Sequence, residues 1–196
     1  MRLVVEKADP DELYELVLSL VVPRPVGWLS TVSADGVPNL APFSFFNAVC
    51  DAPPVFVVSV SRRDDGTLKD TVKNLLKTRE AVINVASEEL LPALEKTGEE
   101  VGPEVDEFEL AGLTKEPARL VKVPRVKEAK AFFECRFVKR ESVYDYELLF
   151  LEAVLVEVRD EVIRDGSVDY EKLKPVGRLG GPFYARAYGP CKIQVK

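Results

Sequence analysis

At 196 residues the chain can form one domain, residues 1–196, with a sizeable core, and its 46% hydrophobic and 31% charged residues are an ordinary globular balance. A formal charge of −6 argues against a general nucleic-acid binder, which needs a basic face. No apolar run approaches the roughly 20 residues that span a bilayer, so no membrane contact is expected.

The opening MRLVVEKADPDELYEL is charged early and lacks a signal-peptide core, which places the protein in the cytoplasm. Val26–Ser33 reads as a strand, and Asp35-Gly36 as a hairpin turn. The chain resumes as one extended, aromatic-rich strand over Asn39–Val49, broken by Asp51-Ala-Pro-Pro54. Val55–Ser61 is a nearly continuous apolar run, as expected of a buried strand. The period then changes. Leu68, Val72, Leu75 and Leu76 fall on one face of a helix, with Thr67 and Asp70 at capping-box-like spacing. Glu80–Ala86 reads as a strand, Glu88–Lys96 as a helix carrying Pro92, and Glu104–Leu110 as a short acidic helix or turn.

Ala131–Lys139 and Tyr146–Val158 are the strongest strands of the second half, the latter long enough to bend around a barrel. A short strand at Glu161–Arg164, a turn at Asp165-Gly166 and a helical turn at Asp169–Leu173 follow, and Lys174–Tyr188 reads as irregular. Many strands, few helices and no regular βαβ alternation favour an antiparallel barrel with peripheral helices over a Rossmann sheet.

The chain has no His, which removes Ser-His-Asp and Cys-His catalysis and the usual base near neutral pH. Cys50, Cys135 and Cys191 are too scattered for a disulfide framework, and no CxxC pair marks a zinc site. Cys50 has no activating neighbour in sequence and reads as a buried thiol. An enzyme built this way needs carboxylate or Lys chemistry, or a cofactor that carries the reaction.

Ser59-Val-Ser-Arg-Arg63 through Gly66-Thr-Leu-Lys-Asp-Thr71 is a strand end, a turn and a helix start rich in hydroxyls and cations. A helix N-terminus offers free N–H groups and partial positive charge, so the segment is a phosphate cradle or simply a capped, solvated helix. In Ala41-Pro-Phe-Ser-Phe-Phe-Asn47, strand alternation sends Phe43 and Phe45 to one face and Ser44 and Phe46 to the other. These rings are core, or they flank a flat ligand whose polar edge Asn47 reads. Ser30 and Thr31 sit mid-strand on opposite faces; Ser30 is unexpected there unless it faces the surface or a ligand. Gly177–Arg186 is a weak nucleotide fingerprint and reads better as a turn presenting Tyr184 and Arg186. The acidic run Glu104–Glu109 reads as solvated.

Together RPVGWLSTVSADGVPNLAPFSFFNAV, PPVFVVSVS, LKDTVKN, GPEVDEFELAGLT, FFECRF and DYEKLKPVGRLGG-x-x-YAR resemble the flavin reductase-like, FMN-binding split-barrel family, which includes the flavoredoxins. The resemblance runs from about Arg24 to Arg186, in the family's order. It implies a mainly β, antiparallel Greek-key split β-barrel with peripheral α-helices, a homodimer, and FMN near the subunit interface. Ser30 and Thr31 would line the flavin site. Ser44, Phe45, Phe46 and Asn47 would run beside the ring and ribityl chain. Ser59, Ser61, Arg62, Lys69, Asp70 and Thr71 would surround the phosphate, and Tyr184 would close the site. Pro182-Phe183 departs from the family's common Asn-Tyr there. The implied activity is an NAD(P)H-dependent FMN reductase. The alternatives are a flavoredoxin-type electron carrier reduced by a protein partner and a flavin-binding module without turnover. Enzymes oxidising pyridoxamine phosphate share the fold, which alone does not fix function.

Sparse Asn, Gln and Met beside abundant Glu, Lys, Arg and Val resemble a thermophile composition. The expected melting temperature therefore lies above the mesophile range of about 45–65 °C, which calorimetry checks.

Overall fold

The structure, a computed structural model, describes residues 1–189; Cys191 lies outside the described residues. A 3-10 turn at Val5–Lys7 and helix α1 (Pro10–Leu20) lead into strands β1 (Arg24–Pro25), β2 (Gly27–Val32), β3 (Pro38–Phe43), β4 (Phe46–Asp51) and β5 (Pro54–Ser61). Helix α2 (Asp70–Thr78) and β6 (Glu80–Val85) follow, then α3 (Leu91–Lys96) and the single turn α4 (Glu107–Leu110). Short β7 (Lys115–Glu116) and β8 (Arg125–Val126) precede the long β9 (Ala131–Val143) and β10 (Tyr146–Val158). The chain closes with β11 (Ile163–Arg164), β12 (Ser167–Val168), α5 (Tyr170–Leu173), β13 (Val176–Arg178) and β14 (Tyr184–Arg186).

Seven strands form one sheet in the order β3-β2-β6-β9-β10-β5-β4. Every pairing in it is antiparallel. The jumps from β2 to β6 and from β10 to β5 give it Greek-key character. Its edges are β3 and β4, yet only Ser44 and Phe45 separate these strands along the chain. Three Cα steps reach at most about 11 Å. A flat sheet of this width would hold its edges about 29 Å apart. The sheet must therefore roll up until its edges meet at Ser44–Phe45, and the split barrel is the result. Bulges in the β9–β10 pairing between Phe150 and Leu151, and between Ala153 and Leu155, supply part of the bend. At the seam, a Cβ on Gly27 would lie 2.8 Å from the Phe46 ring, so glycine permits β2 and β4 to close.

Rolling creates two cores. Leu29, Phe56, Val58, Val60, Ala81, Ile83, Cys135, Phe137, Leu149 and Leu151 come from strands around the whole curl and fill its inside. Val72 and Leu75 of α2 pack on them, with Leu68 and Leu76 alongside. Trp28, Leu40, Val82 and Phe132 point the other way, under α3, α4 and the connections carrying Val121 and Val123. Strands β2 and β6 are thus buried on both faces, which explains their near-continuous apolar runs.

Several sequence expectations change. The Asn39–Val49 strand is two strands, and the bend at Ser44–Phe45 resets the alternation, so Phe43 and Phe46 both pack on the inner core. Thr67 does not cap α2; its hydroxyl and N–H both bind Asp65, and the helix starts three residues later behind Lys69. Lys174–Tyr188 contains the β13–β14 hairpin, paired with β1. Cys50 is exposed because β4 is an edge strand; Cys135 is the buried thiol, and burial pushes its pKa up. Helix α1 is an addition to the expected elements, although Asp9 caps it and Pro10 occupies its first position.

The fully buried Trp28 donates its indole N–H to Thr97 Oγ1 at 2.9 Å, and Thr97 donates onward to Leu94 O at 2.8 Å, fixing the end of α3 to β2. Trp28→Phe leaves Thr97 short of a donor and is expected to lower stability by about 1–3 kcal/mol in urea unfolding.

Candidate functional site

Two joined cavities open between the curled sheet, α1, α2 and the β13–β14 hairpin. The larger, about 680 Å³, is walled by Tyr14, Leu18, Arg24, Val26, Phe43, Ser44 and Tyr184, with Glu15, Glu95 and Arg178 at its rim. The smaller, about 90 Å³, is walled by Asn39, Arg63, Lys69, Asp70, Thr71 and Glu107. Pro42, Phe43, Gly98 and Glu99 line both, so they form one cleft.

Arg24 organises the larger end. It is 4% exposed, and its guanidinium donates to the carbonyls of Leu18, Val21 and Leu179 and, at 3.2 Å, to Ser44 Oγ. It thus ties the C-terminal end of α1, the barrel seam and the end of β13 together, and favourably answers the unpaired carbonyls of a helix end. Burial, and then the neighbouring Arg178, pull its pKa below the usual arginine value. Across the cavity, Tyr184 donates to Glu95, Arg178 donates to both, and the Arg178 guanidinium lies 4.6 Å from the Tyr184 ring centre. Burial, aided by Glu95, pushes the Tyr184 pKa up to about 12, so the phenol stays protonated.

The smaller end is a helix start. Among the described residues no side chain caps α2, which leaves its first N–H groups for a ligand. Arg63 braces the start, donating to Leu68 O at 2.9 Å and pairing with Asp70 at 2.7 Å. Burial opposes ionisation of Asp70, but the Arg63 and Lys73 contacts prevail and lower its pKa. Behind this start, Asn39 Oδ1 accepts from Thr31 Oγ1 at 3.1 Å and Thr71 Oγ1 at 2.9 Å, while Asn39 Nδ2 donates to Glu107 at 2.6 Å.

Of the sequence-derived site residues, Ser44 and Tyr184 line the larger cavity and Lys69, Asp70 and Thr71 the smaller. Thr31 is buried directly behind them in the Asn39 network. Ser30 is fully buried rather than surface-facing, and its hydroxyl accepts from Asn84 at 3.2 Å. Phe45 stacks on Tyr146 at 5.9 Å, Phe46 on Phe56 at 5.7 Å, and Asn47 is exposed with its amide oxygen on the Ala48 N–H. Ser59 donates its N–H to Phe45 O, beside the seam, and Ser61 ends β5 opposite Tyr146. Arg62 pairs with the buried Glu147 at 2.6 Å, so its guanidinium is already engaged. Sequence reading misses Arg24, Asn39, Arg63, Asn74 and Glu107. Only Arg63 has a local signal, since it adjoins Arg62 in the cationic turn. Glu107 reads as one more solvated acid until the fold buries it to 6% exposure. Among the described residues no acidic, Cys or His cluster forms a metal site.

Helix α1 buries no residue of its own, so its order depends heavily on Arg24. Arg24→Ala is expected to lower amide-exchange protection across α1 while leaving β9 and β10 protected, as measured by hydrogen–deuterium exchange.

The model of the flavin reductase like domain matches residues 19–174. A protein of Aquifex aeolicus is 56% identical over 196 residues, covering 100% of both chains. Component B of nitrilotriacetate monooxygenase from Bacillus cereus is 31% identical, with a TM-score of 0.92 and 98% of each chain covered. The 2-nitrobenzoate 2-nitroreductase of Pseudomonas fluorescens is 28% identical, with a TM-score of 0.90 over 100% of this chain and 96% of its own. A match over most of the chain, a rolled antiparallel sheet and a cleft at its seam lead to one conclusion: the chain belongs to the flavin reductase-like family of split-barrel proteins.

Proposed function

We propose that the cleft binds FMN and that the protein is an NAD(P)H-dependent FMN reductase. The observation that carries this reading is the continuity of an aromatic-walled cavity with a cationic, uncapped helix start. The larger cavity has the size of a cofactor site, typically about 300–1,000 Å³. Phe43 and Tyr184 offer ring faces there, and Lys69, Arg63 and the first N–H groups of α2 match a phosphate. When bound, FMN supplies the hydride and electron chemistry. The chain's own residues bind, orient and shield.

Lys69 and the α2 N–H groups hold the phosphate, Asp70 keeps Arg63 and Lys73 in place, and Thr31 backs Thr71 through Asn39. Arg24 fixes Ser44 and the cavity wall. Tyr184, protonated at neutral pH, closes the rim with Arg178. Asn47, Phe45, Ser59 and Ser61 lie along the seam beside Ser44, where a second protomer would adjoin. A homodimer is consistent with the exposed Tyr14, Val17 and Leu20 of α1 and Val49 of edge strand β4. The protein acts in the cytoplasm, and its reduced flavin passes electrons to an acceptor or a redox protein partner.

Anaerobic absorbance of the FMN-reconstituted protein tests the activity. Bleaching of the flavin bands on adding NADH or NADPH is the expected result and names the donor. Bands that bleach only with dithionite would replace the reductase with a flavoredoxin-type carrier. The double variant Lys69→Ala with Thr71→Ala is expected to weaken FMN binding, each charge-assisted contact being worth roughly 1.5–3 kcal/mol. Unchanged affinity in a titration would move the phosphate elsewhere.

A further inference from the structure

Glu107 faces the small cavity together with Lys69 and Thr71 although it belongs to a distant acidic turn. Its carboxylate accepts from Asn39 Nδ2 at 2.6 Å and from the Leu40 N–H at 3.0 Å. A carboxylate only accepts hydrogen bonds, so ionised Glu107 holds the Asn39 amide with its NH₂ inward and its oxygen toward the threonines. Asn74 Nδ2 donates to Thr31 Oγ1 at 3.1 Å, so the Thr31 proton goes to Asn39 Oδ1. The Thr71 proton goes to the same oxygen. With Glu107 ionised, Thr71 therefore offers the cavity lone pairs and no donor.

A phosphate dianion needs donors. A neutral Glu107 reverses the wiring. Its O–H donates to the Asn39 oxygen once the amide turns over, its other oxygen keeps the Leu40 N–H, and Asn39 Nδ2 presents its two hydrogens to Thr71 Oγ1 and Thr31 Oγ1, the buried Thr31 hydroxyl giving up its acceptor as the cost of the neutral arrangement. The Thr71 proton is then released toward the cavity. We propose that Glu107 is a positioning residue that sets, through Asn39, whether Thr71 accepts or donates at this end of the cleft, so that binding a phosphorylated ligand takes up one proton. The proton comes from solvent and rests on a Glu107 oxygen; no covalent bond in the ligand changes. The proposal rests on the FMN reading above.

The charged groups that line the small cavity with Glu107 are Arg63, Lys69 and Asp70 at the α2 start and Glu99 and Glu100 after α3, and Asp106 adjoins it on its own turn. Burial raises the Glu107 pKa against the pull of the Leu40 N–H and the Asn39 amide, and the Asp106 charge adds to the rise. The carboxyl therefore ionises at a higher pH than an exposed glutamate, and phosphate affinity should fall as pH climbs through that point.

The test titrates FMN and riboflavin, which lacks the phosphate, into the wild-type protein, Glu107→Gln and Thr71→Val across roughly pH 5 to pH 8. The amide introduced by Glu107→Gln mimics the neutral carboxyl, donating to Asn39 while accepting from Leu40. The phosphate's own ionisation near pH 6 affects all three proteins alike. The expected result is a wild-type FMN affinity that falls relative to both variants, by up to about tenfold per pH unit above the Glu107 pKa. Riboflavin affinity should show no such difference, and its binding reports that each variant folds. Coincident FMN profiles for the wild type and Glu107→Gln would overturn the linkage. A Thr71→Val protein that keeps the wild-type slope would overturn the relay in favour of direct charge repulsion. Failure of FMN to bind any of the proteins would overturn the cofactor reading as well.

Discussion

A link of two residues joins the two edge strands of a seven-stranded sheet, and the rest of the molecule follows from that shortness. The link cannot cross a flat sheet, so the sheet curls. Curling buries one face of every central strand inside, and helices and connections cover the other face of β2 and β6. It also brings β1, β2 and the start of β4 to one place, where Gly27 admits the Phe46 ring and Arg24 reaches Ser44. The cleft is the gap left where the edges meet, so the same constraint that makes the fold makes the site.

Buried charge serves the connections rather than the core. The Glu134 carboxylate, fully buried, accepts from the N–H groups of Arg119 and Leu120 at 2.7 and 2.6 Å and ties that connection to β9. Glu147 gathers Arg62 and Ser142 where β5 meets β10; its burial opposes ionisation, but these partners hold its pKa below the usual glutamate value. Arg125 and Arg159 lie over the Phe132 ring, 4.6 and 5.4 Å from its centre, and both pair with Glu116. Each group satisfies a backbone or a second charge that would be costly alone in a dry interior. Arg24 follows the same logic, with one difference: two of the carbonyls it satisfies, those of Leu18 and Val21, lie at the end of helix α1, which buries no residue of its own.

Strands β2 and β6 are legible in the sequence because burial on both faces writes near-continuous apolar runs, and Tyr146–Val158, buried at alternate residues in its first half, reads with the bounds the structure has. The face of Leu68, Val72, Leu75 and Leu76 is legible because that one side packs on the inner core, which writes a helical period. The start of α2 is not, because Thr67 prefers the nearer Asp65 carboxylate and local side-chain bonds compete with capping. The break at Ser44–Phe45 is hidden inside a sequence of good strand formers; it exists to join sheet edges, which no local pattern records. Part of the site can be read from hydroxyls and cations in one segment. The rest, Asn39, Asn74 and Glu107, meets only through pairing of distant residues, and an isolated Asn or Glu carries no mark of its future neighbours.

Trp28 is the chain's single tryptophan, and it is sealed from water with its indole hydrogen-bonded to Thr97, a residue of the small cavity's wall. One dry indole beside the cleft gives the protein a homogeneous intrinsic fluorophore. Its emission overlaps the absorption of a flavin, so occupancy of the cleft would be written directly into the protein's own light, without a label and without consuming the electron donor.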